Sequence, residues 1–459
     1  MSAPLSASTQ APSSSIFREW SYAEQWQSRL EQHRHSHLHD NTIIQALSWH
    51  NYEKEDESLL LGCTRQGHVC AWRVMKGDAN PATSSSTSKS GTGTDTPIWR
   101  LHVGTPLYAM QWSKDRSQLC AAGEGGVFVL DGTKILYEIN AGAFKTEKDK
   151  DTEELASSDY VIAHLATHTS AQTIPTVIDL YVDGNLNNGC RVYYGAARDD
   201  AFGAYRWTAG NVENNNNNNH RAEQGHVMVR TVPATSAGHG GRFNSVTSLD
   251  LCGSVLATGD STGVVTLWDT NTLDLSNSTP QKQQKSKPIQ TLIYDTTAAD
   301  GSVGYRGNNK RPVVACRFWK SGDGNMDPPD WLVVAYSHSI GTTATGTASS
   351  QLVMWHLPSE SCVASVETTT SITCLYLSQA HIYTGANDGR VSVWTPFDLQ
   401  CPFVMTTSVP AIYAMALSSS NGNNGDSNQG SHNHLAVAGV GATVDLWDEH
   451  GLLKHRLQL

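Results

Sequence analysis

From Thr42 onward, apolar and polar residues alternate in short runs that Gly, Asn and Asp repeatedly interrupt, which predicts many short strands joined by turns. The stretch "LATGDSTGVVTLWDTNT", residues 256–272, is representative: a turn at Asp260 to Gly263, then a second alternating strand that ends in Trp268-Asp269. The pattern returns along the chain in seven stretches, each with a first strand, a second strand and a third strand that usually closes on an aromatic. They begin at "TIIQALSWH", "PLYAMQWS", "TVIDLYVDG", "NSVTSLDL", "PVVACRFW", "SITCLYLS" and "AIYAMALS". A fourth strand follows them, read at "IWRLHV", "KILYEIN", "PIQTLIYD" and "LLKHRLQL".

The repeats are spaced wider than the ~40–45 residues of a WD blade. Low-complexity insertions at 76–97, 141–158, 211–224, 273–287, 340–350 and 421–433 account for the excess. Loop-closure entropy rises only logarithmically with length, so such insertions between strands cost little. The expectation is an all-β fold, a seven-bladed WD-repeat β-propeller over residues 42–459, whose closed ring protects the sheet edges. Each blade carries its own fourth strand, so no strand exchange is expected at closure.

Ahead of the blades the pattern differs. Residues 1–14 are Ser/Ala/Pro-rich and read as a disordered tail. Residues 15–33 place Ile16, Trp20, Ala23 and Leu30 on one helical stripe with Trp26 beside it, the one clear amphipathic helix in the pattern. Residues 34–41 form a His-rich linker.

A complete WD blade buries a hydrogen-bonded chain of a His, a Ser/Thr hydroxyl, a turn Asp and the Trp indole, because each of these groups costs ~1–3 kcal/mol when buried alone. The fourth repeat supplies His239, Thr258 and Trp268-Asp269, with Thr262 where the turn Asp is expected. The sixth supplies Thr384, Asp388 and Trp394, and the seventh Trp447-Asp448. The remaining repeats keep strand pattern and aromatics, and packing must hold them.

This uneven set resembles a particular family. A second blade "PLYAMQWS…CAAGEGGVFVLDG", one full repeat in fourth place, a fifth blade "DWLVVAYSHS…QLVMWHLPSES" and a last blade ending "VDLWDEHGLLKHRLQL" are similar to the THO complex subunit 6 family. The resemblance spans about residues 42–459 and is best over 236–295, 330–366 and 435–459. It implies a non-catalytic scaffold in the nucleus, bound to coiled-coil subunits of a THO/TREX assembly in mRNA processing and export. RNA contact would be indirect or weak. The long Asn- and Ser-rich insertions and the Trp-bearing N-terminal helix depart from the family.

Composition narrows the alternatives. A net charge of −11 argues against wrapping nucleic acid with the whole surface. Nine scattered cysteines without a C-x-x-C pair suggest reduced thiols. The N-terminus lacks the basic and apolar regions of a signal peptide, and no run reaches the ~18 apolar residues of a membrane span. These features lead to an expectation of a soluble intracellular protein with no membrane partner.

Several stretches imitate chemistry. "HRHSHLHD" sets His33, His35, His37 and His39 at alternate positions, a metal-binding pattern or a solvated linker, with no Cys or carboxylate cluster to complete a site. "DGNMD" at 323–327 opens like a calcium loop but has Pro328 where Gly is needed. "GEGG" at 123–126 reads as a turn between strands. Lys282, Lys285 and Lys287 lie in a Gln/Ser-rich insertion without interleaved aromatics. No catalytic, metal-binding or cofactor-binding signature emerges, and no small-molecule substrate is implied.

Candidate partner contacts are Tyr108 and Tyr413, at matching places on the first strands of the second and seventh blades. They line a binding face at the channel, or pack between blades. Trp20 and Trp26 either dock their helix on the propeller rim or engage a partner. Two other functions stay open: a substrate receptor of a cullin ubiquitin ligase, against which Asn271 and His450 stand at the Arg position of Trp-Asp-x-Arg, and a propeller hydrolase.

Overall fold

In the computed structural model, residues 42–51, 57–75, 96–141, 159–165, 176–185, 189–197, 201–208, 223–230, 245–273, 283–284, 287–294, 311–319, 329–337, 350–418, 434–448 and 451–459 are described. They form seven small antiparallel sheets in a ring, a seven-bladed β-propeller. The tail at 1–14, the helix at 15–33 with Trp20 and Trp26, the linker at 34–41, His239 and the DGNMD stretch lie outside the described residues.

Blade 1 is β1 (Ile44–Asn51), β2 (Glu57–Thr64), β3 (His68–Met75) and β4 (Trp99–His102). Blade 2 is β5 (Leu107–Trp112), β6 (Gln118–Gly123), β7 (Gly126–Asp131) and β8 (Val161–Leu165), with helix α1 (Gly132–Ala141) between its last two strands. Blade 3 is β9 (Thr176–Asn185), β10 (Gly189–Ala197), β11 (Ala201–Thr208) and β12 (Glu223–Arg230). Blade 4 is β13 (Val246–Cys252), β14 (Val255–Asp260), β15 (Val264–Asp269) and β17 (Gln290–Ile293). Between those last two, β16 (Gln283–Gln284) pairs parallel with β12, so part of the 273–287 insertion adds a fifth strand to blade 3. Blade 5 is β18 (Val313–Trp319), β19 (Trp331–Tyr336), β20 (Ser350–His356) and β21 (Ser361–Thr368). Blade 6 is β22 (Ile372–Leu377), β23 (Ile382–Ala386), β24 (Arg390–Trp394) and β25 (Phe403–Thr406). Blade 7 is β26 (Ile412–Leu417), β27 (Leu435–Gly439), β28 (Thr443–Trp447) and β29 (Leu453–Gln458).

The first strands are the inner ones, each packed on the first strand of the next blade, with β1 closing on β26. Every blade takes its four main strands from one continuous stretch, so the ring closes without strand exchange. The closing seam is joined by an Ile43–Val440 bridge, by Gly441 N–H to the Thr42 carbonyl (2.9 Å) and by the Trp49 indole to the Ala416 carbonyl (3.1 Å).

Each first strand carries a bulge at one position: Gln45, Tyr108, Ile178, Thr247, Val314, Thr373 and Tyr413. The residue after the bulge pairs with a small residue of the second strand, in turn Cys63, Ala122, Gly195, Gly259, Ala335, Gly385 and Ala438. Smallness there has a physical cause. A Cβ on Gly259 would lie 2.4 Å from Val313 Cγ1, and one on Gly385 2.6 Å from Ile412 Cγ2, so the next blade's first strand occupies that space.

One reading of the sequence is corrected. "KILYEIN" is not the fourth strand of blade 2 but most of α1, and β8 is that strand. Asp131 caps the helix, accepting from Lys134 N–H (3.0 Å) and Thr133 Oγ1 (2.6 Å). Ile135 and Ile139, one helical turn apart, are both buried against blades 1 and 2. Glu138 accepts from Tyr160 OH (2.6 Å) and the Trp99 indole (3.4 Å), which fastens the helix to both blades.

Candidate functional site

The blade-closing polar chains come first, because they decide which groups are left to recognise anything. In blade 4 the Trp268 indole donates to Thr258 Oγ1 (2.9 Å), whose hydroxyl donates on to the Thr266 carbonyl (3.3 Å). In blade 6 the Trp394 indole donates to Thr384 Oγ1 (2.8 Å). The turn acid of blade 4 is Asp260, at the end of the second strand. It accepts from Thr262 N–H (2.8 Å), Thr262 Oγ1 (2.7 Å) and Val264 N–H (3.0 Å), so Thr262 is a donor to the acid and not its replacement. Thr64 does the same in blade 1, accepting from His68 N–H (3.1 Å). Asp388 accepts from Arg390 N–H (3.2 Å).

The Asp of each Trp-Asp pair fastens the turn that follows. Asp269 accepts from Asn271 N–H (2.9 Å), and Asp448 from Leu452 N–H (2.8 Å) and Lys454 Nζ (3.1 Å). Trp447 differs from Trp268 and Trp394: Val437 occupies the threonine position, and among the described residues the buried indole nitrogen has no hydrogen-bond partner. Blade 7 has a polar chain of its own instead. Fully buried Asp445 accepts from Ser408 N–H (2.8 Å), Ser408 Oγ and Arg456 Nε (2.9 Å).

A second network runs along the channel wall. The first strand is the inner edge of its sheet, so some of its N–H groups need partners from a neighbouring blade. Asp179 of blade 3 accepts from Leu249 N–H of blade 4 (3.1 Å), and Ser248 of blade 4 accepts from Cys316 N–H of blade 5 (3.1 Å). Both acceptors stand one residue after the bulge. Two residues further on, Gln111 accepts from Val182 N–H (3.0 Å) and Asp250 from Phe318 N–H (2.7 Å). The rule is directional: the side chain of one blade caps the edge of the next.

Arg317 crosses this wall. Its guanidinium donates to Asp179 Oδ2 (3.3 Å), Ser248 Oγ (2.9 Å) and the Leu249 carbonyl (2.9 Å), tying blade 5 to blades 3 and 4. Burial opposes its charge, but the Asp179 and Asp250 carboxylates outweigh burial and hold its pKa above the ordinary arginine value.

At the strand-start end of the channel lie Tyr108 and Tyr413, both bulge residues and both half-buried. Tyr108 OH donates to Glu124 Oε1 (3.2 Å). Burial and then the Glu124 carboxylate push the phenol up to about 12, while Arg65 beside it pulls the other way. Tyr413 is on β26, and β26 and Tyr108's strand β5 both pack against β1, so the first strand of blade 1 stands between the strands that carry the two tyrosines. Thr247 and Thr373 hold the same position in blades 4 and 6, and there the side chain is a lock. Their hydroxyls donate to the Val313 carbonyl (2.7 Å) and to the Ile412 carbonyl of the next blade.

Asp179, Asp250 and Arg317 were not singled out by sequence reasoning. Arg317 and Asp179 are separated by 138 residues, and only their positions relative to each bulge, one residue after it for Asp179 and three for Asp250 and Arg317, could have signalled them. The buried thiols are poor nucleophiles, since burial pushes Cys63, Cys70, Cys316 and Cys374 up to about 12. Among the described residues, no three His, Cys, Asp or Glu side chains are grouped to hold a metal ion, and no helix is long and apolar enough to cross a membrane.

No family model matches the chain, and no curated protein matches it. Among solved structures, the crystal structure of the computationally designed Ika8 protein is similar, with a TM-score of 0.45 and 13% identity, covering 90% of this chain and 98% of that one.

Proposed function

We propose that this propeller is a non-catalytic protein-interaction scaffold, and that it serves as a THO-type subunit in nuclear mRNA processing and export. A propeller fold fits an interaction scaffold in general. The observation that carries the scaffold reading is where the ionisable side chains of the inner strands are spent. Asp179 and Arg317 bind each other and backbone, Asp250 caps Phe318, and on the third strand of blade 7 Asp445 is likewise spent on Ser408 and Arg456. Groups that could act as acid or base are thus committed to holding the ring, which leaves faces and rim for recognition.

The THO-type reading rests on the order of degenerate and intact repeats, and on "DWLVVAYSHS" and "VDLWDEHGLLKHRLQL" above all. In this reading the partners are coiled-coil subunits, contact with RNA is indirect or weak, and the protein resides in the nucleus. Affinity purification of the tagged full-length chain from nuclear extract tests it. Stoichiometric recovery of elongated coiled-coil THO subunits is expected. Their absence, with the chain soluble and folded, removes the THO reading and leaves the scaffold.

A further inference from the structure

The fourth strand of each blade is the outer edge of its sheet, and its outward N–H and C=O groups invite another strand unless something blunts them. Six of the seven edges are blunted within the strand itself. β4, β17 and β25 have four residues each. β8, β21 and β29 are longer, and each carries a bulge, with Ile162, Val363 and Lys454 standing as the extra residue against the third strand. β12 has neither protection. Its eight residues pair with β11 from Ala201↔Arg230 to Thr208↔Glu223 without a break in register. Among the described residues it is the longest unbroken outer edge of the ring.

It is also the one outer edge, among the described residues, to which the chain adds a strand. β16 lies parallel to it, Gln283 beside Met228 and Gln284 beside Val229. β16 comes from another blade: the chain leaves blade 4 after β15, crosses to blade 3 and returns to blade 4 at β17. β12 is already paired along its whole length with β11, so a two-residue ladder adds little to blade 3 as a sheet. What it does is close the edge. In sequence, Lys282 and Lys285 stand on either side of Gln283 and Gln284, and lysine is a residue that natural sheets place on edges to discourage pairing.

We infer that β12 is a self-pairing edge, and that β16 is the guard that keeps it from adding the β12 strand of a second copy of this chain. The charges of β12 favour that occupant. Glu223 opens the strand and Arg230 closes it, so antiparallel approach of two copies brings the acidic end of each beside the basic end of the other. Such a contact uses the same surface on both copies, and it stops at the dimer because pairing consumes both edges. The guard sits at Met228 and Val229, toward the basic end, where an incoming acidic end would have to pair. This holds for the chain alone, whichever partner the scaffold carries.

The test is self-association of the purified full-length chain, measured by sedimentation velocity over a concentration series. Gln283→Pro/Gln284→Pro keeps the length of the insertion and removes the N–H groups that β16 can offer to β12. Exchanging residues 276–286 for an equal length of Gly and Ser removes the strand by a second route. Either change should tighten dimerisation at least ~tenfold over the parent, with the amides of Glu223–Arg230 gaining protection from hydrogen exchange in the dimer. Adding Glu223→Arg makes both ends of the strand basic and should abolish the gain. Glu223→Arg together with Arg230→Glu should restore it. Both guard variants associating no more than the parent overturns the inference. So does a dimer that ignores the charge reversal, or a parent chain already paired through β12.

Discussion

The indole of Trp72, in the third strand of blade 1, donates to the carbonyl of Gln458, in the fourth strand of blade 7, at 3.0 Å. Blade 1 has no threonine to receive its tryptophan, because Gly62 occupies that position. The indole reaches across the closing seam instead. What is a bond within the blade at Trp268 has become, at Trp72, a bond between the two ends of the ring.

Removing residues 452–459 should therefore damage two blades. It takes away β29, the buried Leu457 and the acceptor of Trp72 together. A stability loss of ~3 kcal/mol or more is expected from the strand and its packing, while Trp72→Phe alone should cost ~1 kcal/mol. Thermal unfolding followed by circular dichroism measures both, and an unchanged midpoint in the truncation would contradict this account of closure.

Blade 7 offers the reverse experiment. Val437 is fully buried at the position of Thr258, opposite Asp445 as Thr258 is opposite Thr266. Val437→Thr would place a hydroxyl beside the Trp447 indole nitrogen, which has no partner among the described residues, with the Asp445 carbonyl available as the hydroxyl's acceptor. The added chain should stabilise by ~1 kcal/mol, whereas a hydroxyl buried without such partners would destabilise by ~1–3 kcal/mol. The sign of the change in unfolding midpoint decides, and Thr258→Val in blade 4 should show the opposite sign.

Much of this architecture is legible in the sequence because it is local. Alternation sets the strands, and the small residues Gly259 and Gly385 mark where the next blade must come close. The Trp-Asp pairs mark where a third strand ends. Two features escaped for different reasons. "KILYEIN" satisfies strand alternation over a few residues, and only the preceding Asp131 and the one-turn spacing of Ile135 and Ile139 reveal a helix. The channel network escaped because each blade's acceptor serves the next blade's backbone, a relation that no single repeat contains.

That network should respond asymmetrically to substitution. Asp179→Asn leaves the half-buried Arg317 guanidinium without its carboxylate partner and should destabilise by ~3 kcal/mol. Arg317→Met combined with Asp179→Asn removes both charges and should recover much of that loss. Lysine at position 317 should not, since it lacks the fork that reaches Ser248 and Leu249 together. Urea denaturation of the single and double variants measures the coupling, and additive losses would mean that the pair does not act as a unit.

The last expectation concerns pH. His50 is the penultimate residue of the first strand of blade 1, buried with its ring 5.5 Å from that of Trp112. Burial, and then the Arg116 guanidinium, lower its pKa from 6.5 to about 4. Between those two values the unfolded chain binds a proton that the folded chain refuses, so stability must rise with pH across that window. The contribution is fully present above pH 6.5 and is lost as pH falls toward about 4, amounting to ~3 kcal/mol. Unfolding free energies at pH 7 and pH 4.5 should differ by less in His50→Gln than in the parent protein. An identical pH dependence in the two would show that the imidazole is not the group responsible.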